Sequence, residues 1–359
     1  MSALRAAGAS DVCIFQPSSA DWKMVFLAAR ILKWLKVDPE FNSLVDTPPG
    51  MRVWFSRQMQ AIRPRHVIIS YAYWSRLKTL VWHLPATRRV ASSVDTHDIV
   101  SRQIQLRRRL LAELPEPPID PGLVKAELLN EHFFTDVPYP AKTKEFAEYD
   151  RFDNTIAISQ TDLNIIKART RRTKPVLIGA SVAETSTVNE YSAPPVFATG
   201  PNPFNTHGYV YFTRRVLPLV LKGDSEFEMD VLGHTCTQVQ SVRGVNLRGY
   251  VDNLGSVYAR ARFAVSPVFG GTGQQLKIVE AMAHGLPVVA LKAGAEHSPV
   301  VHGVNGFLAE DAPAFAEYVL QLSADENLCR RFGCAAREEI RTNWSQVQTT
   351  QKLARLLSV

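Results

Sequence analysis

A chain of 359 residues that is 46% hydrophobic is too long for one ordinary core and suits two domains. It has no apolar run approaching eighteen residues, no basic-then-apolar leader, and four scattered cysteines without Cys-x-x-Cys spacing, so a membrane span, a signal peptide, a disulfide framework and a zinc site are not expected. The net charge of +7 belongs to the first half: residues 1–180 hold 26 Lys and Arg against 18 Asp and Glu, the remainder 15 against 16, which suits an anionic partner or plain solubility.

Asp11 to Pro17 reads as a first strand, and Ser18 to Asp21 as a loop of helix-capping residues before a helix from Trp22 to Lys36. Phe26, Ala29 and Leu32 recur on this helix, with Lys23, Arg30, Lys33 and Lys36 elsewhere on the wheel. Such a helix ordinarily packs on its own sheet; with Trp22 and Trp34 the alternative is contact with anionic lipid. The short apolar run Val53-Trp54-Phe55 precedes His66 to Tyr71, a continuous run typical of an inner parallel strand. Trp74 to Leu84 looks helical, and Val90 to Val94 leads into Asp95-Thr96-His97-Asp98.

In open α/β sheets ligands sit beyond the carboxyl ends of strands, where this tetrapeptide would fall. A His beside acidic residues can donate or accept a proton near neutrality, so His97 and Asp98 are catalytic candidates. The alternative is that Asp98 caps a helix starting near Val100 while His97 points to solvent. A basic helix continues through Arg109, followed by a proline-rich loop to Pro121 and two more helices. Asn154 to Ser159 reads as a strand, Thr161 to Ala168 as a helix, Pro175 to Gly179 as a strand, and Ala180 to Pro195 as an interdomain linker. Strands follow at Val196 to Gly200, Phe227 to Gly233 and Val245 to Gly249, then a short helix from Leu254 to Ala261.

The unit from Phe263 to Leu291 carries the most chemistry. A buried strand, Phe263 to Pro267, leads into the turn Gly270-Gly271-Thr272-Gly273, a helix of about eleven residues ending at Gly285, and the strand Pro287 to Leu291. This order aims backbone N–H groups and a positive helix end at an anion. Lys277 and Glu280 lie three apart on one helix face. A lysine in the first turn opposes the macrodipole, a cost that makes sense if it shares a phosphate with the amides. Glu280, a turn deeper, suits ribose hydroxyls. The alternative is a solvated ion pair. Gly271 and Gly273 are followed by Leu276 where a dinucleotide fingerprint needs a third glycine, and no Gly-Lys-Ser/Thr occurs. Beyond lie a strand from Gly306 to Ala309, helices over Ala312 to Leu322 and Asp325 to Arg341, and a last helix after Asn343-Trp344-Ser345.

The stretch SPVFGGTGQQLKIVEAMAHGLPVVA, Ser266 to Ala290, resembles the donor-binding signature of GT-B glycosyltransferases, closest to the large, mostly retaining glycosyl transferases group 1, which includes bacterial mannosyl- and glucosyltransferases. Gly294-Ala295-Glu296 and Gly303 to Leu308 extend the match. The resemblance implies an α/β protein of two Rossmann-like, doubly wound domains facing a central cleft. It would place an acceptor-side domain at 1–180, a linker at 181–194, a donor domain at 195–342 and a helix crossing back at 343–359. Nucleotide-sugar contacts would come from Gly200, Asn202 and Asn205 in the first loop of the donor domain and from Val251 and Asp252 at the base. The others would be Gly271, Thr272, Gly273, Gln274, Gln275, Lys277 and Glu280. His97 would face the sugar.

The chain departs from the family in three places. Thr272 stands where the first of two glutamates is usual, the first βα turn has no glycine, and Asn202 and Asn205 replace an Arg and a Lys on the diphosphate. That leaves Lys277 as the chief cation, stabilising the leaving nucleoside diphosphate. No Asp-x-Asp occurs, so no metal and no cofactor is expected. The resemblance thus implies transfer of a sugar from a nucleotide-diphosphate donor to a saccharide or lipid-linked acceptor, with retention, in cell-surface polysaccharide or glycoconjugate synthesis. The expected setting is cytoplasmic, with peripheral contact to anionic membrane through the first domain and no nucleic acid. The alternatives are a nucleotide-sugar epimerase of the same fold and a non-enzymatic anionic-surface binder.

Overall fold

The structure is a computed structural model, and it describes residues 11–37, 43–78, 90–134, 143–183, 185–186, 188–271, 275–295 and 297–358. In chain order the principal elements of its first half are α1 (Ser19–Trp34), α2 (Pro49–Ile62), β1 (His66–Ser70), β2 (Ala91–Asp95), α3 (Val100–Leu111), α4 (Thr143–Tyr149), β3 (Asn154–Ala157), α5 (Gln160–Arg169) and β4 (Lys174–Leu177). Then come β5 (Val196–Thr199), α6 (Pro203–Tyr211), α7 (Leu217–Gly223), β6 (Met229–Gly233), β7 (Val245–Gly249), α8 (Leu254–Arg260), β8 (Ala264–Ser266) and α9 (Leu276–Ala283). The chain closes with β9 (Val288–Leu291), α10 (Lys292–Ala295), β10 (Gly306–Ala309), α11 (Ala312–Ala324), α12 (Glu326–Asn343) and α13 (Gln346–Leu357).

Two compact units result. The first comprises Met1–His97, Lys142–Ala157 and Asn164–Val176; the second Asp98–Ala141, Ile158–Leu163 and Leu177–Val359.

In the first unit, four strands lie in the order β1-β2-β3-β4, with β1/β2 and β2/β3 in parallel register. Residues 11–17 are not a strand: Ile14 is 60% exposed, with no sheet to bury it. They lead instead to Ser18, which caps α1 in a reciprocal box. Asp21 N donates to Ser18 Oγ (3.1 Å) and Ser18 N donates to Asp21 Oδ2 (2.9 Å). The other Asp21 oxygen accepts from Gly50 N at 2.8 Å, tying α1 to the start of α2. Val53-Trp54-Phe55 lies inside α2, which Pro49 opens and Arg63, at φ 48°, ends. Ala72–Leu77 is a 3-10 turn, and the rest of the helix expected up to Leu84 falls largely outside the described residues. Packing of α1 on a sheet is also not what the structure shows. Only Asp21 and Leu32 of that helix are buried, whereas Trp22, Phe26 and Leu27 are exposed and Trp34 is 81% exposed.

The second unit has a six-stranded sheet in the order β10-β9-β8-β5-β6-β7, with all five neighbouring pairs parallel. Strands buried on both faces need unbroken apolar runs, and β5, β8 and β9 are buried at every position. Strand order reverses between β5 and β8, the doubly wound pattern, and such a reversal opens a crevice beyond the carboxyl ends of the two strands. Between α6 and α7 the chain takes a π turn, Phe212–Val216. Pro218 cannot donate to the carbonyl four residues back, and Thr213 Oγ1 donates to Tyr209 O at 3.0 Å, both of which loosen the regular ladder there. On the far side of α9, Gly285 (φ 75°) and Gly333 of α12 meet so closely that a Cβ at 333 would stand 2.2 Å from Gly285 O. Arg337 spans this junction, donating to Asn189 Oδ1 and His284 O.

Candidate functional site

The reversal between β5 and β8 holds a cavity of about 380 Å³, and every residue lining it belongs to the second unit. Its walls are the loop after β5 with the start of α6 (Gly200, Asn202, Asn205), the loop after β8 (Val268 to Gly271), the start of α9 (Gln275 to Lys277) and Gly294 with His297. Arg102 of α3, with Ser159 and Asp162 at the start of α5, completes them.

Local chemistry shapes each wall. Asn202 caps α6, its Oδ1 accepting from Phe204 N at 3.1 Å, while Asn205 Nδ2 donates to Gly200 O at 3.1 Å. Gly271 has φ 107°, a conformation that side chains resist. A Cβ on Gly270 would stand 2.3 Å from the Phe134 ring, and one on Gly294 1.7 Å from Val268 O. The Gln275 amide is spent inside the fold, accepting from Ser266 Oγ (2.9 Å) and donating to Gly294 O (2.7 Å) and Val268 O (3.3 Å). That fixes where α9 begins. The Gln275 side chain, at the cap position, makes no capping bond, and Gln275, Leu276 and Lys277 line the cavity, which brings the positive end of the α9 dipole to it.

Lys277 lines the cavity, and its Nζ lies 2.8 Å from Glu280 Oε2. Pairing and anion binding are therefore not exclusive readings of Lys277: Glu280, itself not among the residues lining the cavity, pairs with the ammonium of a lysine that is. Asp162 is 2% exposed, and burial pushes its carboxyl up while Ser159, Arg102 and His297 pull it back. His297 and Ser159 also border a second cavity of about 380 Å³, walled by Trp344 and Lys352 among others.

The remaining expected residues lie elsewhere. His97 is in the first unit, with φ 51°, its Nε2 3.4 Å from Asp95 Oδ2 and its ring 4.7 Å from that of Tyr71. Asp98 opens the second unit and is buried, and Ile99 stands at the cap position of α3. Val251 and Asp252 lie between β7 and α8, outside the residues lining the cavity. Thr272, Gly273, Gln274 and Glu296 are outside the described residues. Sequence reasoning missed Arg102, Asp162 and His297. The one local signal was the capping pattern Ser159-x-x-Asp162, in which Asp162 N donates to Ser159 Oγ at 3.1 Å.

Residues 194–325 match the family model Glycosyl transferases group 1. N-acetyl-alpha-D-glucosaminyl L-malate synthase of Bacillus anthracis is 30% identical over 117 residues, 29% of this chain and 29% of its own length. An uncharacterized 44.6 kDa protein in the cps region of Klebsiella pneumoniae is 23% identical over 133 residues, 34% of each chain. The match thus spans about a third of these curated relatives. Among solved structures, TarM, known from S. aureus, superposes with a TM-score of 0.61 at 16% identity, over 86% of this chain and 58% of its own. HepE of Anabaena, in complex with UDP and glucose, gives 0.60 at 16% identity over 96% of both chains. Identities this low establish a shared fold. That fold is GT-B, with two Rossmann-like units, and residues 194–325 are similar to the glycosyl transferases group 1.

Proposed function

We propose that the protein is a glycosyltransferase that moves a hexosyl group from a nucleoside-diphosphate donor to a saccharide or lipid-linked acceptor, in cell-surface polysaccharide or glycoconjugate synthesis. The observation that carries this reading is the convergence, where the sheet order reverses, of Lys277, the start of α9 and the glycine turn after β8. Departure of a nucleoside diphosphate builds negative charge on its terminal phosphate, and preorganised amides with a lysine stabilise it. HepE and TarM, which share the fold, have been seen with UDP, which supports a nucleotide donor here.

Retention and independence of metal belong to the same proposal. In this reading the positive charge that stabilises the leaving group comes from the chain's own amides and cationic side chains, Lys277 among them. A thermal-shift screen of UDP-, GDP- and dTDP-sugars tests the reading, since a ligand at 100 times its Kd adds about 2.7 kcal/mol. Chromatography of the sugar products with and without acceptor separates transfer from epimerisation.

A second element concerns α1. Its exposed Trp22, Phe26 and Trp34 share a helix with Lys23, Arg30 and Lys33, the composition that binds an anionic lipid surface. No helix among the described residues is long and apolar enough to cross a membrane, so the contact proposed is peripheral.

A further inference from the structure

A diphosphate carries more charge than one lysine balances, and Lys277 is already shared with Glu280. The β5–α6 junction, which approaches the same cavity, offers no cation: it brings Asn202 and Asn205 there, whose amides bond Phe204 N and Gly200 O. The cavity does hold another fixed positive charge. Arg102, half-buried in the first turn of α3, lines it together with Lys277.

We propose that Arg102 supplies the second positive charge of the diphosphate site and that Asp162 holds it in place. This rests on the nucleotide-sugar reading above. A guanidinium presents five N–H donors in a rigid fork, enough to face a carboxylate on one side and phosphate oxygens on the other, and it matches phosphate geometry bidentately. Asp162 is suited to the first task. Its carboxylate is almost wholly buried, Ser159 fixes it at the start of α5, and Oδ2 has no hydrogen-bond partner among the described residues. Both side chains line one cavity, and the Arg102 charge, with that of His297, pulls the Asp162 carboxyl back against the effect of burial. The cation missing from the β5 loop is thus provided from another element of the same unit, α3.

The test is isothermal titration of UDP and UMP, with GDP and GMP in parallel, against wild type, Arg102→Gln and Arg102→Lys. Arg102→Gln is expected to weaken the diphosphate by about tenfold or more, as for loss of a charge-assisted bond, and the monophosphate by much less. Arg102→Lys should fall between, and the melting temperatures without nucleotide should agree. Equal losses for diphosphate and monophosphate, or none, overturn the role of Arg102. If wild type binds none of the four nucleotides, the nucleotide-sugar reading itself falls, and this inference with it. Asp162→Asn, isosteric and without the charge, should weaken UDP in the wild-type background and have no further effect in Arg102→Gln. Additive losses in the double variant overturn the part given to Asp162.

Discussion

Lys277 Nζ and Glu280 Oε2 stand 2.8 Å apart, one helical turn from each other at the edge of the cavity. With side chains 46% and 32% exposed, the pair contributes little to folding, about 0–1 kcal/mol for such a surface pair. Its value lies in presenting the ammonium. Lys277→Ala is expected to cost roughly 1.5–3 kcal/mol of nucleoside-diphosphate affinity while leaving the melting temperature nearly unchanged. Glu280→Gln should weaken the nucleotide through its ribose. Calorimetry decides both, and unchanged binding and turnover in the two variants would remove Lys277 and Glu280 from the site.

Acid should unfold the protein partly through His207. Its Nε2 donates to Leu128 O at 2.7 Å, and Phe134 and Phe269 pack around the ring. Burial lowers its pKa from 6.5 to about 4. The unfolded chain therefore takes up a proton at this residue at a pH where the folded chain does not. The stability it lends is intact above 6.5 and is lost as pH falls toward 4, by up to about 1.4 kcal/mol per pH unit. His207→Gln can still donate to Leu128 O but does not titrate. Urea unfolding across this window should show a shallower fall for the variant, and parallel curves would contradict the assignment.

Glycine positions around the cavity give a paired test. Gly294→Ala drives a methyl group against Val268 O and should destabilise by roughly 1–3 kcal/mol or more. Gly200→Ala meets nothing within 4 Å and should shift stability by about 0.5 kcal/mol or less. Thermal unfolding that ranks the two the other way would refute the packing described.

Binding to vesicles should rise with their anionic lipid content and fall with salt, because such attraction is screened beyond about 8 Å at physiological ionic strength. Trp22→Ala with Phe26→Ala, and separately Lys33→Glu, should each reduce it. If the protein ignores anionic vesicles at low salt, the exposed face of α1 has another purpose.

Transfer should persist in excess EDTA. Loss of activity on chelation, restored by Mg²⁺ or Mn²⁺, would mean that the leaving diphosphate needs more positive charge than Lys277, Arg102 and the α9 amides supply.

The parallel strands were readable in the sequence because burial on both faces leaves an unbroken apolar word, as in Val196 to Thr199 and Val288 to Leu291. The same rule misled at Asp11 to Pro17, where Ile14 and Phe15 follow one another without any sheet to enter, and the run Val53-Trp54-Phe55 was too short to reveal the helical period of α2. The β8–α9 turn was legible because glycines at fixed offsets have a local cause. Arg102 was not. In sequence it is one of several arginines on a basic helix, and only the packing of α3 in the second unit singles it out. Asp162 likewise reads as an ordinary first-turn acid until its burial is known.

Glycine crowding at the base of the cavity also bears on how this protein can diverge. Gly270 is enclosed by Phe134 and Phe204, Gly271 holds a backbone angle that side chains resist, and Gly294 abuts the carbonyl of Val268. A mutation at any of the three damages folding before it can alter what is bound, so selection removes it early. Arg102, Asn202, Asn205 and His297 line the same space from loops and helix surfaces, outside the sheet. Descendants of this chain that come to accept a different ligand should therefore differ at those four positions while keeping the three glycines.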